Sequence, residues 1–228
     1  MIINVPVISQ VDVLFTGISV EAVDQALSLK KKGISCCFIT AFSYPGEDLC
    51  SFFDLQSPQS EICQKLLNND FPTPNQMKSA LEKQLIEEDI PFLYQTFPVK
   101  AALDRDGKVA GLLCANRSGF QVIESKIIAD ATARSTTAKI CGVPVKQFIP
   151  GNYPVERFTL SQTPPPESAA LTSVKLPRSY SVNNKEFYVW HHTAQLTFDD
   201  NSAKSLARAE VQMRELTWTP TLTYAADQ

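Results

Sequence analysis

Glycine is scarce in this chain, with eight residues in 228 against fifteen prolines. No G-x-x-x-x-G-K-[ST] loop occurs, so a P-loop phosphate cradle is excluded. Histidine is scarcer still: His191 and His192 are the only two, and nothing resembles a Ser-His-Asp set or a metal cluster. None of the six cysteines (Cys36, Cys37, Cys50, Cys63, Cys114, Cys141) pairs at C-x-x-C spacing, which argues against a zinc site or a thioredoxin-type dithiol. No run of about 20 apolar residues is present to cross a bilayer. The opening MIINVPVISQ lacks a basic segment and a long apolar one, so no signal peptide is expected. A large excess of one sign of charge is missing too: 21 basic against 24 acidic residues give a net −3. That interspersed pattern predicts no nucleic-acid partner and no membrane partner. The expectation is a cytoplasmic protein with buried free thiols.

What is present is ordinary globular composition, 44% hydrophobic and 20% charged. It is organised around Val11–Thr40, which reads as strand, tight turn, helix, strand. Val11–Phe15 is a β-branched and apolar run suited to a buried parallel strand. Gly17 breaks the run where a sharp turn needs a residue without a Cβ. From Ser19 to Lys32 the apolar positions Val20, Val23, Ala26, Leu27 and Leu29 recur at helical spacing, and Gly33 ends the helix. Ile34–Ile39 supplies a second buried strand. Such a β-α-β unit opens a dinucleotide-binding fold. Placed on G-x-G-x-x-G, the turn puts Gly17, Ser19 and Ala22 at the three glycine positions. Ser19 replaces the glycine that lets a backbone approach a pyrophosphate, and its side chain is expected to point toward that place. Thr40 stands where a ribose-binding acid is expected, about 20 residues on.

After Thr40 a loop turns at Pro45–Gly46, and Glu47 and Asp48 either face a ligand or form a solvated turn before a helix. Ser60–Asn69 reads as a short helix. Thr73–Pro74 opens a longer one to about Asp89, with Met77, Leu81, Leu85 and Ile86 on one face. Phe92–Thr96, Val99–Leu103, Lys108–Asn116 and Phe120–Glu124 read as strands, the last three joined by D-G and S-G turns as a β-meander. Lys126–Asp130 is read as one more short strand before a small-residue helix ending at Gly142. From Val143 to about Pro166 the chain reads as a linker or irregular structure. Two β-like stretches, Ala170–Leu176 and Glu186–Phe198, and a helix over Ser202–Leu216 complete it.

Four segments together resemble the FAD-dependent oxidoreductases of the glutathione-reductase-like class. They are VDVLFTG…CCFIT, PGEDLC, PTPNQMKSALEKQLIEEDIPFLYQT and DGKVAGLLCANRSGFQVIESKIIADATA. The resemblance covers Val11–Pro144, with a further helix at Ala203–Leu216. It implies an α/β fold: a Rossmann-like FAD/NAD(P)-binding domain with an inserted β-meander over 1–150, and a smaller β-rich unit over 151–228. It implies FAD as cofactor, with Gly17, Ser19 and Ala22 on the pyrophosphate and Thr40 on the ribose. Val99 or its neighbours would meet the adenine end. Thr132, Ala133 and Arg134, within Ala131–Arg134, would match an A-T-G-D turn beside the flavin, its glycine now Ala133 and its acid Arg134. Because the chemistry-bearing positions depart together, the resemblance implies an oxidoreductase-like protein with flavin binding weakened or lost. A non-catalytic binding or scaffolding homologue, and an N-terminal portion or subunit of a larger flavoenzyme, stay open beside it. A small-molecule substrate, a partner subunit or a homo-oligomer would follow accordingly.

Other candidates have plainer readings. Arg134 and Lys139 at the 133–142 helix either bind a phosphate or form an exposed face. Tyr188, Trp190 and His192 share a strand face and read as sheet core. With no acidic partner in local register, the histidines read as structural. No catalytic residue and no metal ligand is assigned.

Overall fold

In the computed structural model, residues 5–50, 72–165 and 167–217 are described. The apolar run before Gly17 forms β1 (Val7–Thr16), whose last four residues are all buried. The helix α1 (Val20–Lys30) follows, and β2 (Cys36–Ile39) returns parallel to β1. Ser19 is the N-cap of α1, and Gly33 leaves its C-terminal end at φ +76°. A single turn, α2 (Glu47–Cys50), precedes α3 (Pro74–Glu87). The start of α3 is fixed by a capping box: Gln76 N donates to Thr73 Oγ1 at 3.2 Å, and Thr73 N donates to Gln76 Oε1 at 2.7 Å. The short β3 (Phe92–Leu93) pairs with β2. It stops early because Gln95 takes φ +47°, two residues before β4 (Phe97–Leu103) begins.

Then come β5 (Val109–Asn116), β6 (Gly119–Asp130) and the five-residue α4 (Thr136–Ile140). The two strands expected at Phe120–Glu124 and Lys126–Asp130 are one. β6 begins antiparallel to β5 and continues parallel to β1, so the meander and the Rossmann strand share a single twelve-residue element. The sheet order is β3-β2-β1-β6-β5-β4. Adjacent Cys36 and Cys37 point to its two faces and join separate cores. On one face Phe15 stacks on Phe38 with centroids 4.8 Å apart, and Val20, Val23, Met77, Leu81 and Leu85 of α1 and α3 cover them. The other face carries Leu14, Ile39, Leu112, Cys114 and Ile123, with Ile128 and Cys141 packed against them.

The chain divides into two compact units at Val145/Lys146. The second holds β7 (Gly151–Ser161), β8 (Thr172–Val182) and β9 (Lys185–Phe198), in the order β7-β9-β8, and α5 (Ala203–Thr217). The stretch expected to be a linker thus contains the eleven-residue strand β7. β7 is an edge strand, where Pro154 sits opposite Gln195 and its missing N–H is tolerated. A tight turn at Asn183–Asn184, φ +51° and +61°, joins β8 to β9. Ala209 and Met213 of α5 pack on Ala194, Leu196 and Phe198. The expected helix Ser60–Asn69 and Cys63 lie outside the described residues. No helix among those described is long and apolar enough to cross a membrane.

Candidate functional site

Three chain ends converge at Gly17. Its N–H donates to Ile39 O at 2.8 Å, and Ala131 N donates to Thr16 O at 2.8 Å, tying together the ends of β1, β2 and β6. Gly17 takes φ +86°, and a Cβ there would lie 2.8 Å from Ala131 O and 3.0 Å from Glu47 Oε1. The fold itself therefore demands glycine at this position. Ala22, at the third fingerprint position, is buried in the α1 core where a small side chain lets helix and sheet close up.

The first turn of α1 offers N–H groups and a partial positive charge. The chain takes these up itself. Ala22 N donates to Ser19 Oγ at 3.1 Å, so the Ser19 side chain folds back on its own helix. Val20 N donates to Asp48 Oδ2 at 3.4 Å. Glu47 accepts the backbone N–H of Ile18, and Thr40 Oγ1 donates to Glu47 Oε2 at 2.6 Å. Gly46 makes this approach possible: its N–H donates to Ile18 O at 2.6 Å, and its φ of +74° turns the loop back onto α1. Glu47 and Asp48 therefore form neither a solvated turn nor a free ligand-facing pair. Burial raises the Glu47 carboxyl above its ordinary range. Burial, and then the adjacent Glu21 carboxylate, push Asp48 up to about 7.

Thr40 is almost fully buried and bridges Glu47 and Phe42 N. Thr96 N donates to Thr40 O at 2.8 Å, so the chain after α3 does come to the end of β2. Val99 itself lies three residues further along edge strand β4 and is 43% exposed.

The turn after β6 is closed in a similar way. Thr132 N and Thr132 Oγ1 donate to Asp130 Oδ1 at 2.9 and 2.6 Å, and Ala138 N donates to Asp130 Oδ2 at 2.8 Å. Thr136 N donates to Thr132 Oγ1. Ser135 enters α4 at φ +49°, which shortens the expected 133–142 helix to one turn and a half. Ala133, Arg134 and Lys139 are exposed, and the N–H groups of Thr136 and Ala138 are engaged by Thr132 and Asp130.

In the second unit, His192 is fully buried, held between Thr159 Oγ1 and Ser173 Oγ, both at 2.8 Å. Burial first, then His191 and Arg157, lower it to about 4, so it stays neutral and structural. His191 does have an acidic neighbour, Glu156 Oε2 at 3.7 Å across the β7–β9 ladder, and it stacks on Phe158 at 4.5 Å.

No protein-family model matches the sequence, and no curated protein matches it. Solved structures do. The geranylgeranyl bacteriochlorophyll reductase-like protein of Thermoplasma acidophilum is similar with a TM-score of 0.56 at 10% identity, over 82% of this chain and 57% of that one. The anhydrotetracycline hydroxylase OxyS of Streptomyces rimosus is similar with a TM-score of 0.51 at 12% identity, over 81% and 45%. The flavin-dependent brominase Bmp2 gives 0.51 at 14%, over 82% and 56%. The chain spans about half the length of these three structures. Its fold is the α/β, Rossmann-like FAD/NAD(P)-binding fold of the oxidoreductase flavoproteins. The residues present do not fit the dinucleotide that this fold carries. A pyrophosphate needs free N–H groups and no competing negative charge at the helix start, and here Ser19, Glu47 and Asp48 already hold those groups.

Proposed function

We propose that this chain is an FAD-dependent oxidoreductase-like protein in which flavin binding is weakened or lost, serving as a non-catalytic binding or scaffolding subunit. The carrying observation is Glu47. Its carboxylate lies against Gly17, Ile18 N–H and Thr40, the positions that the resemblance gives to pyrophosphate and ribose. An anion entering there meets a carboxylate instead of a vacant donor set, and like charges repel. What keeps the fold, namely Gly17, Ala22 and the apolar sheet, remains. A role in binding a partner subunit, or a second copy of the chain, is consistent with a scaffold kept while its cofactor donors are spent.

A second reading is favoured by length. That reading is an N-terminal portion or subunit of a larger flavoenzyme, and the chain's span of about half of the similar structures supports it. The visible absorption spectrum, recorded before and after excess FAD and desalting, tests the proposal. The expected outcome is a folded protein with no retained flavin band, and measurable FAD binding in the Glu47→Gln/Asp48→Asn variant. A retained band in the wild-type protein overturns it.

A further inference from the structure

Strand β6 changes partners part way along. Residues 119–124 pair with β5, whereas residues 125–130 pair with β1 alone. Ala131 N donates to Thr16 O, so on this stretch Ala129 and Ile127 also turn their backbone groups to β1. Those of Lys126, Ile128 and Asp130 turn away, and no backbone group among the described residues pairs with them. The sheet thus keeps an open edge within its length, beside an Ile127 that is 59% exposed. Its two outer edges are blunted against pairing: β3 has two residues, and β4 carries Pro98, Lys100 and two register shifts. The open stretch of β6 has no proline and no register shift.

We infer that this edge pairs with the same edge of a second copy of the chain, antiparallel about a two-fold axis at Ile128. This rests on the reading of the chain as a binding subunit and names its partner. Outward-facing residues must meet outward-facing residues in such a ladder, so the axis falls on an integral residue position. Centred on Ile128, the register sets Lys126 opposite the partner's Asp130 on one face, and Ile127 opposite the partner's Ala129 on the other. Opposite charges meet twice, and the bulky exposed side chain meets a small one. Lys126 already pairs with Asp12 at 2.5 Å, but its side chain is 80% exposed and an ammonium has three donors. Asp130 keeps its charge while it accepts from Thr132 and Ala138 N. Centred on Ile127 or Ala129 instead, the ladder would set Lys126 or Asp130 against Ile128 and lose both charge pairs.

Sedimentation velocity of the full chain at increasing concentration tests this, with amide hydrogen exchange on the same samples. The expected result is a monomer–dimer equilibrium in which the amides of Lys126, Ile128 and Asp130 gain protection as dimer forms. Ile127→Lys should abolish the dimer with circular dichroism unchanged, since the side chain is largely exposed. Leu103→Lys, on the blunted β4 edge, should leave it intact. The inference is overturned if the chain stays monomeric, which would leave the edge to a strand of another polypeptide. It is equally overturned if Ile127→Lys still dimerises, or if the dimer leaves the three amides unprotected. Flavin retained by a dimer would instead overturn the cofactor-free reading and leave the interface standing.

Discussion

Strands β1 and β6 lie side by side, run parallel, and each ends in a turn into a helix. The turn after β6 closes its helix with local groups: Asp130 and Thr132 reach N–H groups within eight residues. The turn after β1 closes its helix partly with a carboxylate from far along the chain, Asp48 on Val20 N, 28 residues apart. A local cap of this sort commonly defines a helix start and says little about ligands. The distant cap has another meaning. It requires a loop folded back through Gly46, and it puts partly buried carboxylates where the fold otherwise holds an anion.

The largest expected effect breaks the junction that the two turns share. In Gly17→Ala the new methyl would meet the Ala131 carbonyl at 2.8 Å, with φ at +86°. Strain in that backbone region and overpacking against main chain together cost at least about 3 kcal/mol. Urea denaturation should show that loss, or no cooperative folding at all. A variant as stable as the parent would mean the two strand ends are not locked as described.

A middling effect separates the distant cap from the local one by pH. Asp48 is raised from its ordinary value to about 7, mainly by burial and next by Glu21. Between about pH 4 and 7 the folded state therefore holds a proton that the unfolded chain has released. Stability from this group is present at the acidic end and is lost as pH rises through the folded value. His192, lowered to about 4, works in the opposite direction, losing stability as pH falls below its unfolded value. The informative quantity is thus the difference between wild type and Asp48→Asn. Wild type should lose stability relative to Asp48→Asn, whose side chain stays neutral, as pH rises from about 4.5 to 7.5 in urea titrations. A pH-independent difference would remove the buried-carboxylate account.

Much of this comparison was legible from local pattern, and its decisive part was not. Gly17 at the turn and the Thr73–Pro74 helix start are short-range signals, readable from spacing alone. Glu47 and Asp48 were visible as acids in a loop, but their target depends on where Gly46 sends the chain, which no periodicity encodes. Ser19 was expected to point outward at a phosphate because the fingerprint describes a bound state. Locally, its hydroxyl had a nearer acceptor role on Ala22 N. The strand β7 was masked by Pro154 and the surrounding turn-forming residues, since only the pairing shows that it is an edge. Glu156 was likewise missed as a neighbour of His191, because the two are 35 positions apart and meet only through the β7–β9 register.

The smallest expected effect is the most discriminating. Ser19→Gly restores the second glycine of the dinucleotide fingerprint and removes one hydrogen bond, Ala22 N to Ser19 Oγ. Glycine is itself a tolerated N-cap, so the stability cost should be only a few tenths of a kcal/mol, about 0.3. If the lost glycine were the obstacle to flavin, this single change would recover binding at almost no cost to folding. If the carboxylates are the obstacle, the N–H groups of Ile18 and Val20 remain engaged by Glu47 and Asp48 and nothing is gained. The expected outcome is a nearly unchanged urea midpoint and no flavin retained after desalting. Flavin retained by Ser19→Gly alone would move the block from the distant loop to the turn itself, and the contrast between the two helix starts would lose its functional meaning.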